Sequence, residues 1–259
     1  MSSSSRRGTW KLSGGARTSR SGLVAQVAAN RFKSGLFALS CAKRRHNNFR
    51  ESHVADRLLS IFPTTILHRH LEGMEEANRQ ITALVAQIAA TEPNSITGTT
   101  TEGGFQTKED LFQRENPGIE ALKPHIFSAV QEYATLTIRQ EMTQPPSKVD
   151  FVLWGWAVSY QAGHTQGLHV HPSANVSGVY YVAAPPAAMQ PGDAGKISFY
   201  DPRPRATMAQ LPFQATRHRI APTPGDMYLF PSWLEHSVSA FQGEGTRLCI
   251  AFNGKLILE

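Results

Sequence analysis

GLHVHPSANVSGVYYV, residues 167–182, decides the fold of this chain. Two short apolar segments flank a Pro-Ser-Ala-Asn turn, and the period is two rather than helical. In a strand, residues two apart point to one face, so His169 and His171 are expected to project together. Imidazole is a common ligand of iron, zinc and copper, which makes the pair a candidate metal grip.

Further short strands surround this stretch. FVLWGWAVSY (151–160), KISFYD (196–201), RHRIA (217–221), DMYLFPS (226–232), HSVSAF (236–241) and RLCIAFNGKLIL (247–258) are separated by Gly, Pro, Asp or Asn. Some eight strands between 147 and 259 argue for a sandwich or a closed barrel. Upstream, 56–146 reads as mainly helical. LLSIFPTTIL (58–67) is a short strand entry. Met74, Ala77, Ile81, Leu84, Val85 and Ile88 form one face of a helix over 72–90. A polar loop over 92–104 follows. A second helix starts at Asn116-Pro117, with Ile119, Leu122, Ile126, Val130 and Tyr133 on one face, and ends before Gln144-Pro145-Pro146. Pro124 is expected to kink that helix or to mark its true start. The helices are expected to pack on one outer face of the sheet, an α+β arrangement.

The net charge of +6 conceals two parts. Residues 1–50 carry eleven of the 26 basic residues and no acid, which leaves the remainder with 15 basic against 20 acidic residues. The folded part is therefore acidic, and a nucleic-acid partner is not expected. Residues 1–55 are rich in Arg and Ser, with Leu23, Val24, Val27, Phe32, Leu36 and Phe37 among the bases. This is the composition of an organellar transit peptide, for a mitochondrion before a plastid. The alternative is a basic tail with no address on a cytoplasmic protein. No apolar run reaches the roughly 18 residues of a membrane span. Two distant cysteines, Cys41 and Cys249, form no disulfide framework.

A third histidine, His236, closes GDMYLFPSWLEH (225–236). Eleven residues later comes Arg247, where alternation puts Arg247, Cys249, Ala251 and Asn253 on one strand face. If that face is inward, Arg247 is a buried guanidinium with no carboxylate nearby in sequence. Such a charge demands a counter-ion, and a dicarboxylate would supply one through two parallel hydrogen bonds. Among the other histidines, His68 and His70 repeat the H-x-H spacing without a downstream partner and are read as surface or turn residues. His164 is a loop residue, and Trp154, Trp156 and Trp233 are expected in the core.

The order H-x-H, SGVYY, GKISF, GDMYLFPSxLxH and RxxI resembles the 2-oxoglutarate and Fe(II)-dependent oxygenase superfamily, nearest its uncharacterised branch with prolyl-hydroxylase-like barrels. The resemblance covers 153–253 and implies a double-stranded β-helix, a jelly-roll or cupin-like barrel, with amino-terminal helices on one face. It implies Fe(II), 2-oxoglutarate as cosubstrate and ascorbate as reductant. It implies hydroxylation of a small-molecule or protein substrate, of unknown identity, coupled to conversion of 2-oxoglutarate to succinate. His169 and His236 match the metal histidines, and Arg247 matches the residue that binds the far carboxylate of 2-oxoglutarate. Tyr160 and Tyr181 match positions in the cosubstrate pocket. His171 stands where the superfamily has a carboxylate, and Cys249 where many relatives have serine. Either His171 is the third ligand, or it stands behind a two-histidine site completed by water. Asp201, after SFY, is a weaker substitute carboxylate. A non-catalytic metal or 2-oxoglutarate sensor and a three-histidine dioxygenase without cosubstrate are the alternative functions.

Overall fold

Every strand read from the period of two is present, and the central strands of the larger sheet alternate between two cores. A computed structural model describes residues 61–96, 100–204, 208, 212 and 214–259. All secondary elements fall in one unit, Phe62–Glu259. The basic tail 1–55 and the start of the expected strand at 58–60 lie outside the described residues.

The elements run β1 Leu67–His70, α1 Glu75–Thr91, β2 Thr101–Glu102, β3 Phe105–Gln106, a 3-10 turn Leu111–Gln113 and α2 Pro117–Glu141. Then come β4 Val149–Tyr160, β5 Thr165–His169, β6 Val176–Ala183, α3 Pro186–Met189, β7 Ile197–Tyr200, β8 Arg217–Ile220, β9 Asp226–Pro231, β10 His236–Val238 and β11 Arg247–Leu258. Two antiparallel sheets result. One has the order β1-β9-β6-β11-β4-β3 and the other β2-β5-β10-β7-β8. This is the expected α+β jelly-roll, with the two sheets facing one another.

Alternation sorts side chains between the cores. Leu248, Ile250 and Phe252 of β11 join Tyr180, Val182, Met227 and Leu229 under the helices. Cys249, Val179, Tyr181, Tyr228 and Phe230 point the other way, into the space between the sheets. The helices supply the outer layer: Ala77, Ile81, Val85 and Ile88 of α1 and Ile119, Leu122, Ile126 and Val130 of α2 are buried against the larger sheet. Each buried Ile, Leu or Val among them contributes about 1.5–3 kcal/mol by burial. Gly178 of β6 lies opposite Phe252, whose ring would sit 2.2 Å from an added Cβ. The close approach of two central strands requires a residue without a side chain there.

Four local expectations are corrected. The first strand is LHRH, Leu67–His70, rather than a segment ending at Leu67, because it pairs with β9 through Asp226. His68 and His70 are therefore surface residues, as one of the two readings had it, but on a strand rather than in a turn. Helix α2 begins as read, with the Asn116 side chain accepting from Gly118 N and Ile119 N, but runs on through Pro124. One lost backbone bond is outweighed by buried side chains on both sides of the proline. Trp233 is 55% exposed, in the turn after β9, whereas Trp156 is buried as expected.

Candidate metal centre

Three imidazoles converge between the sheets. His169 ends β5 and His236 begins β10, and the register sets them directly opposite one another. Their ring centroids lie 4.1 Å apart, and His171 is 5.2 Å from each. Nitrogens of all three lie within 4.8 Å of one another, the one such metal-binding group among the described residues. His171 lies just past the end of β5. Pro172 offers no N–H for the ladder, and His171 N donates instead to Ser232 O at 2.9 Å. The H-x-H pair thus converges through a strand end and a turn, not along one strand.

Local contacts prepare two of the rings. His169 Nδ1 lies 3.0 Å from Gly167 O and His236 Nδ1 lies 2.8 Å from Leu234 O. A carbonyl accepts, so each Nδ1 carries the proton and each Nε2 is left with its lone pair. Phe230 and Phe199 pack on the His236 ring and keep it dry. Burial holds His169 below the usual imidazole range. Burial and the proximity of His169 lower His171 to about 4 and His236 to about 3. All three are neutral at pH 7, the form that binds a metal.

Arg247, at the start of β11, is 2% exposed and faces the same space. Its Nη1 lies 3.7 Å from Cys249 Sγ and its Nη2 donates to Tyr181 Oη at 3.4 Å. Its Nε has no partner. The guanidinium lies 5.1 Å from the Tyr181 ring and 5.9 Å from the Tyr160 ring. Burial opposes its charge, and Cys249, Tyr181 and Tyr160 offset this only in their ionised forms. Burial also raises the Cys249 thiol and pushes both tyrosines up to about 12, so all three neighbours are neutral at pH 7. The cation therefore has no anion beside it, and its Nε–H is buried without a partner. A carboxylate of a cosubstrate matches both the charge and the donor.

A cavity of about 190 Å³ joins the two halves, lined by Tyr160, His169, His171, His236, Arg247 and Cys249 among others. Tyr181 reaches it through Arg247. Apart from Asp201 and the loop residue His164, the residues singled out for the site are thus gathered in one place. Gln166 and Gln106 also line the cavity and were not singled out by sequence. Tyr160 Oη donates to Gln166 Oε1 at 2.8 Å. Strict alternation would put Gln166 and His169, three apart, on opposite faces. A bulge in the β5–β10 register, where Val238 meets Gln166, turns both inward. His164 accepts from Gln161 N at 3.1 Å and packs its ring against Tyr160, as part of a turn. Asp201 is held by Arg203 at 2.6 and 2.9 Å, which pulls its carboxyl down to about 2, and it does not join the imidazoles.

Residues 155–253 match the family described as "Putative 2OG-Fe(II) oxygenase". The match spans the strands that carry His169, His236 and Arg247. Across those residues the barrel is similar to the 2-oxoglutarate/Fe(II)-dependent oxygenases. Solved structures share the architecture of this oxygenase barrel. The non-heme alpha ketoglutarate dependent epimerase SnoN from nogalamycin biosynthesis is 14% identical, with 73% of this chain and 76% of that one covered and a TM-score of 0.50. The carbocyclase SnoK from the same biosynthesis is 11% identical, covers 74% and 79%, and also has a TM-score of 0.50. A prolyl-4-hydroxylase from Pseudomonas putida is 18% identical over 73% of this chain and 91% of its own, with a TM-score of 0.49. None of the curated proteins matches this chain. The family match supports an oxidoreductase. It departs from the usual pattern in its metal grip, which offers three imidazoles and no carboxylate.

Proposed function

We propose that this oxygenase hydroxylates an as yet unidentified substrate at the expense of 2-oxoglutarate and molecular oxygen, using His169, His171 and His236 to hold Fe(II). The observation that carries the reading is the pairing of a neutral three-imidazole cluster with a buried, unpartnered guanidinium in one cavity. Iron with 2-oxoglutarate supplies the oxidation: the cosubstrate becomes succinate and carbon dioxide, one oxygen atom enters succinate and the other the substrate.

The residues divide the remaining work. His169 and His236 present Nε2 because their Nδ1 protons are tied to backbone carbonyls. Arg247 takes the far carboxylate of the cosubstrate, with Tyr181 steadying the guanidinium. Tyr160 and Gln166 form a hydrogen-bonded wall beside it. Phe199, Phe230 and Trp156 exclude water from the histidines. Three neutral ligands leave Fe(II) its full charge of about +2, where a carboxylate would reduce it to about +1.

Anaerobic titration of the metal-free chain with Fe(II) and 2-oxoglutarate tests the reading. A weak visible charge-transfer band and oxygen-dependent release of succinate are expected. Iron-loaded protein that shows neither would sink it. The missing carboxylate also supports a second reading, a sensor that binds iron and 2-oxoglutarate without turnover. That protein would give the band and release no succinate.

A further inference from the structure

The sequence contains a second H-x-H, and the fold gives it a carboxylate. We propose that His68, His70 and Asp226 form a second divalent-cation site, of the class that takes zinc, on the edge of the larger sheet. His68 and His70 lie two apart on β1 and share a face. The β1–β9 register sets His70 opposite Asp226 and His68 opposite Tyr228. His68 Nε2 lies 3.2 Å from Asp226 Oδ1, and His70 Nδ1 lies 2.7 Å from the same oxygen. The other carboxylate oxygen accepts from Tyr228 Oη at 3.2 Å. The His68 ring stacks on the Tyr228 ring, centroids 4.5 Å apart and nearly parallel.

These features belong to a ligand set. Two imidazoles and a carboxylate with a fourth position for water are a common zinc arrangement. Metal–ligand arms of about 2.0–2.1 Å give a tetrahedron with edges of roughly 3.3 Å. Two edges of the candidate are already near that length. The third edge, between the imidazoles, is set by the half-exposed rings, which can rotate on the edge strand. Asp226 is 7% exposed and its ion-pair partners among the described residues are these two imidazoles. The Tyr228 hydroxyl orients the carboxylate from behind, as groups outside a metal's ligands commonly do. A cation there would pin β1 to β9. The site is built on the larger sheet, whereas His169 and His236 are on the smaller one, so the two bind independently.

The test uses the full chain, stripped by a chelator and titrated with Co(II), whose visible ligand-field bands report histidine and carboxylate ligation. In a His169→Ala/His236→Ala background, one equivalent of Co(II) is expected, displaced by Zn(II). Asp226→Asn, and separately His68→Asn/His70→Asn, should weaken that binding at least about tenfold. In the otherwise natural chain either change should lower the stoichiometry from two to one, which covers a background that fails to fold. No binding in the His169→Ala/His236→Ala background, with circular dichroism showing a folded chain, overturns the site and leaves a hydrogen-bonded staple. Binding that ignores Asp226→Asn overturns it too. Neither result depends on whether the barrel turns over 2-oxoglutarate.

Discussion

His169 and His236 occupy opposed positions of neighbouring antiparallel strands, with their ring centroids 4.1 Å apart. The pair comes from segments 67 positions apart in the chain, and one register shift would separate it. Each ring is held through Nδ1 by a carbonyl two residues before it, so the metal-facing nitrogen is fixed by local backbone. The two therefore act as a preformed clamp, with His171 approaching from a turn.

Removal of the clamp should abolish metal binding. His169→Ala or His236→Ala is expected to lose the barrel equivalent of Fe(II) in anaerobic calorimetry. His171→Ala should weaken it by at least about tenfold if the third imidazole is a ligand. His171→Asp places a carboxylate where relatives have one and should restore or tighten binding. Unchanged affinity in His171→Ala would assign that residue a place behind a two-histidine site.

Arg247 should matter differently with and without cosubstrate. Arg247→Met removes a buried cation that has no anionic partner. The dissociation constant for 2-oxoglutarate should rise roughly 100-fold or more. Stability of the metal-free chain should stay level or rise by about 1–3 kcal/mol, since an unpaired buried charge is replaced by apolar volume. A large loss of stability in urea would show that the guanidinium is held by the fold itself.

Acid should destabilise the metal-free protein before ordinary carboxylates titrate. Burial and neighbouring His169 lower His171 to about 4 and His236 to about 3, against 6.5 for the ordinary group. Between those limits the unfolded chain binds more protons than the folded one, so stability falls as pH drops from about 6.5 towards 3. A tenfold change in proton affinity corresponds to about 1.4 kcal/mol, so the combined loss is several kcal/mol in order of magnitude. Urea midpoints from pH 7.5 to 4 measure it. His171→Gln should flatten the slope, and an unchanged slope would place the protons elsewhere.

Gly178→Ala should destabilise the barrel by roughly 1–3 kcal/mol, because the new methyl meets the Phe252 ring at the centre of the larger sheet. A compensating Phe252→Leu should recover part of that loss in thermal unfolding. Additive losses in the double variant would argue against this contact as the cause.

Local pattern carried much of the architecture. All eight strands read from the alternation are present, and the inward set Arg247, Cys249, Ala251 and Asn253 follows from it directly. The stripe of α2 and its Asn116 cap were equally legible, because a helix start is decided by residues within one turn. Pro124 does not mark the helix start, because its cost is local, whereas the burial that outweighs it is tertiary. Trp233 was misread because tryptophan is buried on average, and average burial says nothing about a turn after β9.

By itself the sequence determined the order of strands, the three imidazoles and the isolated guanidinium, since periodicity and residue chemistry are properties of the chain. The tertiary structure decided which groups meet. The β5–β10 bulge turned Gln166 inward, against simple alternation. The β1–β9 register brought Asp226 to His68 and His70, more than 150 positions away in the chain, and gave the second H-x-H a partner. Register and bulges depend on pairing between distant segments, and no local period encodes them. The H-x-H of residues 169–171 was recognisable as a metal grip from its spacing; that His171 reaches the other two from beyond the strand end, by a turn that Pro172 forces, belongs to the fold.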